Sequence, residues 1–229
     1  MLTLALDTST KTTSVAILNN QSVLFEAVLN TGAHHSEALL PLIRKACDQT
    51  KIRINDFDLF ACTIGPGSFT GLRIGLGTIK GFVFASGKSA VGVSSLAALA
   101  LNVEKNSKFI CPMMDAGRGQ VYSAYFRYLK DGRIKQVTSE RVAHPQEVAR
   151  EAKEETVFVG NGAVIYSDVL KKTTSRGCLI ASSANQFIRA SLVGLLGIQK
   201  FHAHEMLDVE KCGPLYLRLE DALIRKKIF

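Results

Sequence analysis

The segment Leu2-Thr-Leu-Ala-Leu-Asp7 gives the strongest indication of the fold. It is an apolar run that ends on an acidic residue and is followed by the polar loop Thr8-Ser-Thr-Lys-Thr-Thr13. Two further strand-like runs, 14–18 and 23–29, flank a tight turn at 19–21, and the three runs predict an antiparallel meander. Helix and strand patterns then alternate, which predicts the order β-β-β-α-β-α-β-α for the first half.

The same order of elements recurs after the polar stretch 104–108. A strand-like run at 109–114 ends on Asp115, and a hairpin signal at Asp131-Gly132 and further strand and helix patterns follow. The last long helix is expected at 184–196. This duplication predicts an α/β protein of two similar halves, each a mixed sheet with helices on its faces. The expected division of the chain is 1–104, 105–205 and a C-terminal tail, 206–229.

Composition excludes several classes of protein. The chain has 229 residues, 47% of them hydrophobic, and a formal net charge of +8, which is an ordinary globular mixture. Its five cysteines form no Cys-x-x-Cys pair, so a reducing compartment is favoured over a disulfide framework. The apolar stretch 72–85 is interrupted by Arg73 and Lys80 and is too short to cross a bilayer. We expect a cytoplasmic protein with no membrane contact.

Each half ends its first strand on an aspartate, Asp7 or Asp115. Ligands of such sheets bind beyond the carboxyl ends of strands, so two halves packed face to face would point both carboxylates into one cleft. The loop with Thr8 and Ser9 offers hydroxyls and N–H groups for phosphate, and a carboxylate can hold hydrated Mg²⁺. Arg118 is the matching candidate in the second half. The alternative is that these groups satisfy tight turns locally.

The run Gly65-Pro-Gly-Ser-Phe-Thr-Gly-Leu-Arg-Ile-Gly75 joins a strand to a helix. Gly65, Gly67 and Ser68 are candidates for binding an anion at the helix N-terminus. The spacing is not that of a Walker A loop. A well-capped turn is the alternative interpretation.

Glycines in that helix occur in two pairs at i, i+4 spacing, Gly71 with Gly75 and Gly77 with Gly81. Each glycine costs about 0.5–1 kcal/mol relative to alanine in a helix interior. Close packing on a helix of another subunit would explain them, and packing within the chain is the alternative. The predicted interface combines the apolar residues of the helices at 36–48 and 70–85: Leu39, Leu42, Ile43, Ala46, Gly71, Leu72, Gly75, Leu76, Ile79, Phe82 and Val83.

The five histidines lack the spacing of a helical metal site, so we expect no metal ion. The basic run Arg225-Lys-Lys227 fits either contact with a phosphate backbone or a solvated chain end.

Four segments together resemble the bacterial TsaB (YeaZ) family over nearly the whole chain: Leu4-Ala-Leu-Asp-Thr-Ser-Thr10, the run 65–75, Asp115-Ala-Gly-Arg-Gly-Gln-Val-Tyr122 and Pro214-Leu-Tyr-Leu-Arg218. The resemblance implies the fold of actin-like ATPases, Hsp70 and sugar kinases, built from two ribonuclease-H-like halves. It also implies a part in making threonylcarbamoyladenosine in tRNA, next to the anticodon. The implied partners are the paralogous transferase TsaD, the small ATPase TsaE, and tRNA bound through their complex.

Two departures from related proteins bear on catalysis. TsaD relatives carry Val-Asn-His-x-x-x-His, whereas the corresponding stretch here has Ser95 and Leu99, and a leucine cannot ligate a metal. The Asp-x-Gly phosphate loop of the kinases is replaced by Asp7-Thr-Ser9. We therefore expect a non-catalytic subunit with no cofactor of its own, in which ADP or ATP is the candidate ligand of a partner-completed cleft. The two interface helices would dock on TsaD, or form a homodimer when the chain is alone.

Two other classes of function remain as alternatives. A metal-dependent glycoprotease-like peptidase or an actin-fold small-molecule kinase predicts bound metal or turnover by the isolated chain. A free-standing RNA-binding module predicts salt-dependent binding of tRNA without partners.

Overall fold

The computed structural model describes residues 1–30, 32, 34–105, 107, 109–152, 154–174 and 177–218. Contacts group the chain into two compact units. The first unit combines Met1–Ala98 with Ile188–Leu215, and the second contains Leu99–Phe187 and the described residues 216–218. The basic run 225–227 lies outside the described residues. None of the helices in the described part is long and apolar enough to cross a membrane.

The first hundred residues follow the predicted order of elements. A 3₁₀ turn at Ile54–Asp56 precedes the fourth strand. The elements are β1 (Leu2–Asp7), β2 (Thr12–Asn19), β3 (Ser22–Asn30), α1 (His35–Thr50), β4 (Leu59–Gly65), α2 (Phe69–Ser86), β5 (Ser89–Ser94) and α3 (Ser95–Ala100). The strands form one sheet in the order β3-β2-β1-β4-β5. The meander β1–β2–β3 is antiparallel, and β4 and β5 extend it in parallel, as expected for a mixed sheet.

The second unit is also a mixed sheet with helices. Its elements are β6 (Phe109–Gly117), β7 (Gln120–Ser123), β8 (Phe126–Tyr128), β9 (Ile134–Gln136), β10 (Arg141–Ala143), α4 (Pro145–Glu151), β11 (Thr156–Val159), α5 (Asn161–Ile165), α6 (Ser167–Thr173) and β12 (Cys178–Ile180). The strand order is β10-β7-β6-β11-β12, with β8 pairing to both β6 and β9. The hairpin predicted at Asp131-Gly132 is the one that joins β8 to β9.

The last helix, α7 (Ala190–His202), differs from the prediction in position and in packing. It begins at 190 rather than 184, and it packs on β1, β2, β4 and β5 of the first unit. An added Cβ at Gly194 would lie 2.5 Å from Leu18 Cδ1, and one at Gly197 would lie 2.7 Å from Ala61 Cβ. These glycines let the helix backbone approach the first sheet closely. The structure therefore places Ile188–Leu215 with the first unit, whereas the sequence assigned 105–205 to a second domain and the rest to a tail.

The core of the first unit lies between its sheet and the pair α1 and α2. Side chains from alternate positions of β1 and β2 enter it, because successive residues of a strand face opposite sides. The residues of this core include Leu4, Leu6, Val15, Ile17, Leu39, Leu42, Ile43, Ala46, Phe57, Phe60, Leu76 and Ile79. The helix α7 covers the other face of the same sheet, so its strands β1, β2 and β4 are buried on both sides.

Candidate functional site

Asp7 ends β1 and is completely buried. Its Oδ1 accepts three hydrogen bonds, from Ser9 N at 3.1 Å, from Ser9 Oγ at 2.6 Å and from Thr63 Oγ1 at 2.6 Å. Its Oδ2 is buried and has no hydrogen-bond partner among the described residues. Burial raises the pKa of the carboxyl from 3.8 to about 6, against the hydrogen bonds, which lower it.

This environment does not suit the hydrated Mg²⁺ considered from the sequence. Magnesium keeps several of its waters when it binds a carboxylate, so its site must be open to solvent. Asp7 has no exposed surface, and its Oδ1 already accepts hydrogen bonds from Ser9 and Thr63. Within the first unit, Asp7 therefore fastens β1 to its own loop and to β4.

The glycine-rich turn packs on its own chain. A Cβ at Gly65 would lie 2.5 Å from Leu215 O, and one at Gly67 would lie 2.3 Å from Ser9 O. The Ser68 N–H donates to Ser9 O at 2.7 Å, while Ser68 Oγ caps the helix by accepting from Gly71 N at 3.2 Å. The Ser68 N–H that an anion would use is thus bonded to the β1–β2 loop.

The first glycine pair of α2 is explained by Thr8 of the same loop. Thr8 Oγ1 donates to Gly71 O at 2.7 Å. A Cβ at Gly71 would lie 2.0 Å from Thr8 O, and one at Gly75 would lie 2.4 Å from Thr8 Oγ1. Packing within the chain therefore accounts for this pair. The structure brings six of the predicted anion-site residues together as one self-contacting cluster: Asp7, Thr8, Ser9, Gly65, Gly67 and Ser68.

Asp115 and Arg118 lie in the second unit. Asp115 is exposed and lies two residues before the end of β6. Its Oδ1 accepts from Gly117 N at 3.0 Å, and its own N–H donates to Asn161 Oδ1 at 3.1 Å. Burial, together with the proximity of Asp115, raises the pKa of Tyr166. Arg118 has a left-handed backbone, with φ of +55°. Asn161 and Tyr166 were missed by the sequence analysis, because only the return of the chain after β11 brings them to this turn.

Most of the predicted interface residues belong to the core. Seven of them are at most 4% exposed: Leu39, Leu42, Ile43, Ala46, Leu72, Leu76 and Ile79. Gly71 and Gly75 are buried against Thr8, and Phe82 and Val83 are half-buried against the same core. The apolar periodicity that suggested a contact with another subunit is the face by which each helix packs on its own sheet.

A different face of α2 is available for contact. We define the outer face of α2 as Arg73, Gly77, Gly81 and Phe84, which follow one another at helical spacing. Phe84 is 66% exposed, and added Cβ atoms at Gly77 and Gly81 would meet nothing within 4 Å. The guanidinium of Arg73 lies 3.8 Å from the centre of the Phe69 ring. On the neighbouring helix α1, Leu40 is 55% exposed.

The described residues include no group of three or more His, Cys, Asp or Glu side chains that could hold a metal ion. His35 is buried, and its Nδ1 forms a hydrogen bond of 2.8 Å with Thr13 Oγ1. Ser95 and Leu99, which the resemblance sets against the TsaD histidines, are both buried.

Comparison with known proteins decides the family. The family model described as TsaD, tRNA N6-adenosine threonylcarbamoyltransferase, matches residues 28–226. A Bacillus subtilis protein named tRNA threonylcarbamoyladenosine biosynthesis protein TsaB is 30% identical over 97% of this chain and 96% of its own length. This chain belongs to the TsaB family. The Escherichia coli TsaB is 28% identical over 95% of each chain.

Similarity to a transferase of this pathway extends over only part of the chain. A tRNA N6-adenosine threonylcarbamoyltransferase of Thermodesulfovibrio yellowstonii is 32% identical, but only over 53% of this chain and 43% of that protein. YeaZ from Pseudomonas aeruginosa aligns with a TM-score of 0.81 and 29% identity, over 94% of this chain and 99% of that one. A ROK hexokinase from Thermus thermophilus shares the fold, with a TM-score of 0.51 at 11% identity. These structures confirm the expected fold class, an α/β fold of the actin-like and sugar kinase type.

Proposed function

We propose that this TsaB-family chain takes part in tRNA threonylcarbamoyladenosine biosynthesis as a non-catalytic subunit that docks on TsaD. The observation that carries the proposal is nearly full-length similarity to proteins named for that pathway. Ser95 and Leu99 in place of metal-ligating histidines support a role without catalysis. In this proposal TsaE and tRNA join through the complex with TsaD, as the resemblance implies.

The outer face of α2 is the docking surface in this proposal. Gly77 and Gly81 leave a shallow strip without side chains, so a partner helix can approach the backbone closely. Phe84 stands beside the strip with two thirds of its side chain exposed, which suits an aromatic anchor for a pocket on the partner. Residues that the sequence assigned to the interface would then support this surface from inside the unit.

Substituting Phe84→Glu is expected to weaken binding to purified TsaD by about 30-fold or more, since a carboxylate would be buried where an apolar anchor was. Isothermal titration calorimetry of the full chain against TsaD measures the change. Ile165→Glu is the matched control, because Ile165 is 58% exposed on α5 of the second unit. It should bind like the wild type. Unchanged affinity of Phe84→Glu would exclude this docking surface.

A nucleotide cleft, in this proposal, is completed by TsaD rather than held by the chain alone. The supporting observation is that Ser68 N–H and Asp7 Oδ1 are engaged in hydrogen bonds within the first unit. Calorimetry with ADP or ATP should give no binding heat for the isolated chain and a saturable signal for its complex with TsaD. Tight nucleotide binding by the isolated chain would contradict this assignment.

A further inference from the structure

Strands β8 and β9 and the turn between them, residues 126–136, carry two cations directly opposite each other. In the antiparallel register of the two strands, Arg127 pairs with Lys135. Both side chains are exposed, whereas Phe126, on the other face of β8, is 1% exposed. Like charges directly opposite each other destabilise a pair of strands. We call residues 126–136 the basic hairpin, and its facing cations have a cost that the fold does not explain.

Two further lysines surround the turn of the basic hairpin. Lys130 is exposed in the turn itself. The side chain of Lys105 reaches the turn from the segment that precedes β6, since an added Cβ at Gly132 would lie 3.3 Å from Lys105 Nζ. Tyr128 Oη donates to Val103 O at 2.8 Å, which fastens that segment to the hairpin. The two lysines therefore extend the pair of facing cations toward the turn.

Acidic side chains neutralise little of this charge. The basic hairpin and residues 103–105 together contain five lysine and arginine residues and two acidic residues, for a net charge of +3. One of the acids, Asp131, forms an ion pair with Arg133 at 2.7 Å. The facing cations, Lys130 and Lys105 form no ion pair with another residue in the part of the chain that the structure describes. Such a surface favours an anionic partner.

Protection of a sheet edge does not account for both facing cations. Strand β9 pairs only with β8 within the described residues, and a lysine on an edge strand opposes unwanted pairing. Lys135 serves that purpose alone. Arg127 lies on β8, which pairs with both β6 and β9, so it protects no edge. A partner that carries several negative charges would explain why the two cations face each other.

The surroundings of the basic hairpin favour a phosphate backbone over an anionic membrane. Surfaces that bind membranes combine cations with apolar side chains that enter the lipid. Within 126–136, all of which the structure describes, no large hydrophobic side chain is exposed. Val137 is 45% exposed, but it lines a cavity with Glu151 and Glu154, whose carboxylates would repel anionic lipid. Contacts of lysine and arginine with phosphates need no apolar group.

We propose that the basic hairpin binds the phosphate backbone of tRNA in the complex of this chain with TsaD. Arg127 and Lys135 contact neighbouring phosphates, and Lys130 and Lys105 extend the contact around the turn. Contacts with phosphate position an RNA without reading its sequence. The inference rests on the proposed function and names the part of this chain that meets the RNA. Its residues belong to the second unit, whereas the outer face of α2 belongs to the first.

Neutralising the facing pair tests the inference. Arg127→Gln with Lys135→Gln should weaken binding of an unmodified tRNA transcript to the complex with TsaD by about tenfold or more at low salt. Fluorescence anisotropy from about 50 to about 200 mM salt should also show a slope of log Kobs against log salt that is smaller in magnitude by about 1.5, since two phosphate contacts are lost. Lys171→Gln with Lys172→Gln makes the same change of charge on exposed lysines of α6. This matched control should bind tRNA like the wild type.

The stability of the double variant separates a binding role from a structural one. Removing two like charges that face each other should leave the melting temperature unchanged or raise it. Circular dichroism of the full chain measures this. A lower melting temperature would show that the facing cations serve the fold, which contradicts the inference. Lys130→Gln with Lys135→Gln then replaces the first variant in the tRNA measurement if that variant is unfolded.

Four other results would overturn the inference. Unchanged tRNA affinity and salt slope, with TsaD binding intact, exclude the basic hairpin and leave the proposed function standing. An equal loss in the α6 control shows that general surface charge, not the hairpin, binds the RNA. A loss of calorimetric affinity for TsaD in place of tRNA assigns the hairpin to an acidic protein surface. Binding to phosphatidylglycerol vesicles that depends on the facing pair, with unchanged tRNA binding, assigns it to a membrane.

The wild-type chain provides the test that concerns the proposed function. If calorimetry shows that the unaltered chain does not bind purified TsaD, the proposed function and this inference fail together. If the chain binds TsaD and only the tRNA measurements disagree, this inference fails alone.

Discussion

Gly71→Ala is expected to destabilise the protein by about 3 kcal/mol, at the upper end of the usual cost of overpacking. The new methyl group would lie 2.0 Å from Thr8 O, which is backbone and cannot rotate away. Thr8 is itself fastened to α2 by its hydrogen bond to Gly71 O. Accommodation would therefore require the β1–β2 loop and the helix to separate. Urea denaturation followed by circular dichroism measures the loss.

Gly77→Ala is the matched control on the same helix. Its added Cβ meets nothing within 4 Å, so only helix propensity changes, and stability should rise by about 0.5–1 kcal/mol. The two variants make the same chemical change at two positions of one helix and are expected to have opposite signs. Equal effects on the urea midpoint would contradict the close approach of Thr8 to α2.

Asp7→Asn is expected to remove a pH dependence of about 3 kcal/mol from the free energy of unfolding. The folded pKa of about 6 lies above the unfolded value of 3.8, and each unit of pKa corresponds to about 1.4 kcal/mol. The native state thus binds the proton more tightly than the unfolded chain. This contribution to stability is fully present below pH 3.8 and is lost as the pH rises through 6. Asparagine carries no charge at any of these pH values.

The measurement is the difference in unfolding free energy between Asp7→Asn and the wild type from about pH 3.5 to about pH 8. That difference cancels the titration of the other carboxyl groups, which both proteins share. It should move in favour of Asp7→Asn by about 3 kcal/mol as the pH rises, with most of the change between about pH 4 and about pH 6.5. The introduced asparagine can retain the Oδ1 acceptor for Ser9 and Thr63. A difference that does not vary with pH would show that Asp7 is not buried as a raised-pKa carboxyl.

The local pattern predicted the first hundred residues well, because their elements are set by periodicity and by turn residues close in sequence. The helices expected at 36–48 and 70–85 are observed at His35–Thr50 and Phe69–Ser86. The bounds of α7 were predicted wrongly: the helix was expected at 184–196 and is observed at Ala190–His202. The buried Ile188 lies before the helix rather than within it. Its packing on the first sheet joins residues more than a hundred positions apart, which no local pattern reports.

The candidate site was predicted as a set of residues but not as a chemical environment. The sequence predicted 7–9 and 65–68 as candidates for binding an anion. It did not indicate whether the glycines approach a phosphate or another loop. The answer, that Gly67 approaches Ser9 and Gly71 approaches Thr8, depends on how α2 lies against β1. Asn161 is a similar case, because its bond to Asp115 spans 46 positions.

The amino-acid sequence by itself determined the mixed α/β architecture, the order of elements in the first hundred residues and the family, because periodicity, turn chemistry and residue identity are local properties. Only the tertiary structure decided which apolar faces of α1 and α2 are core and which are surface. It also decided that Gly71 serves the chain itself while Gly77 faces open space. Both glycines have the same intrinsic cost in a helix, and only the atoms that surround them distinguish a required position from a free one.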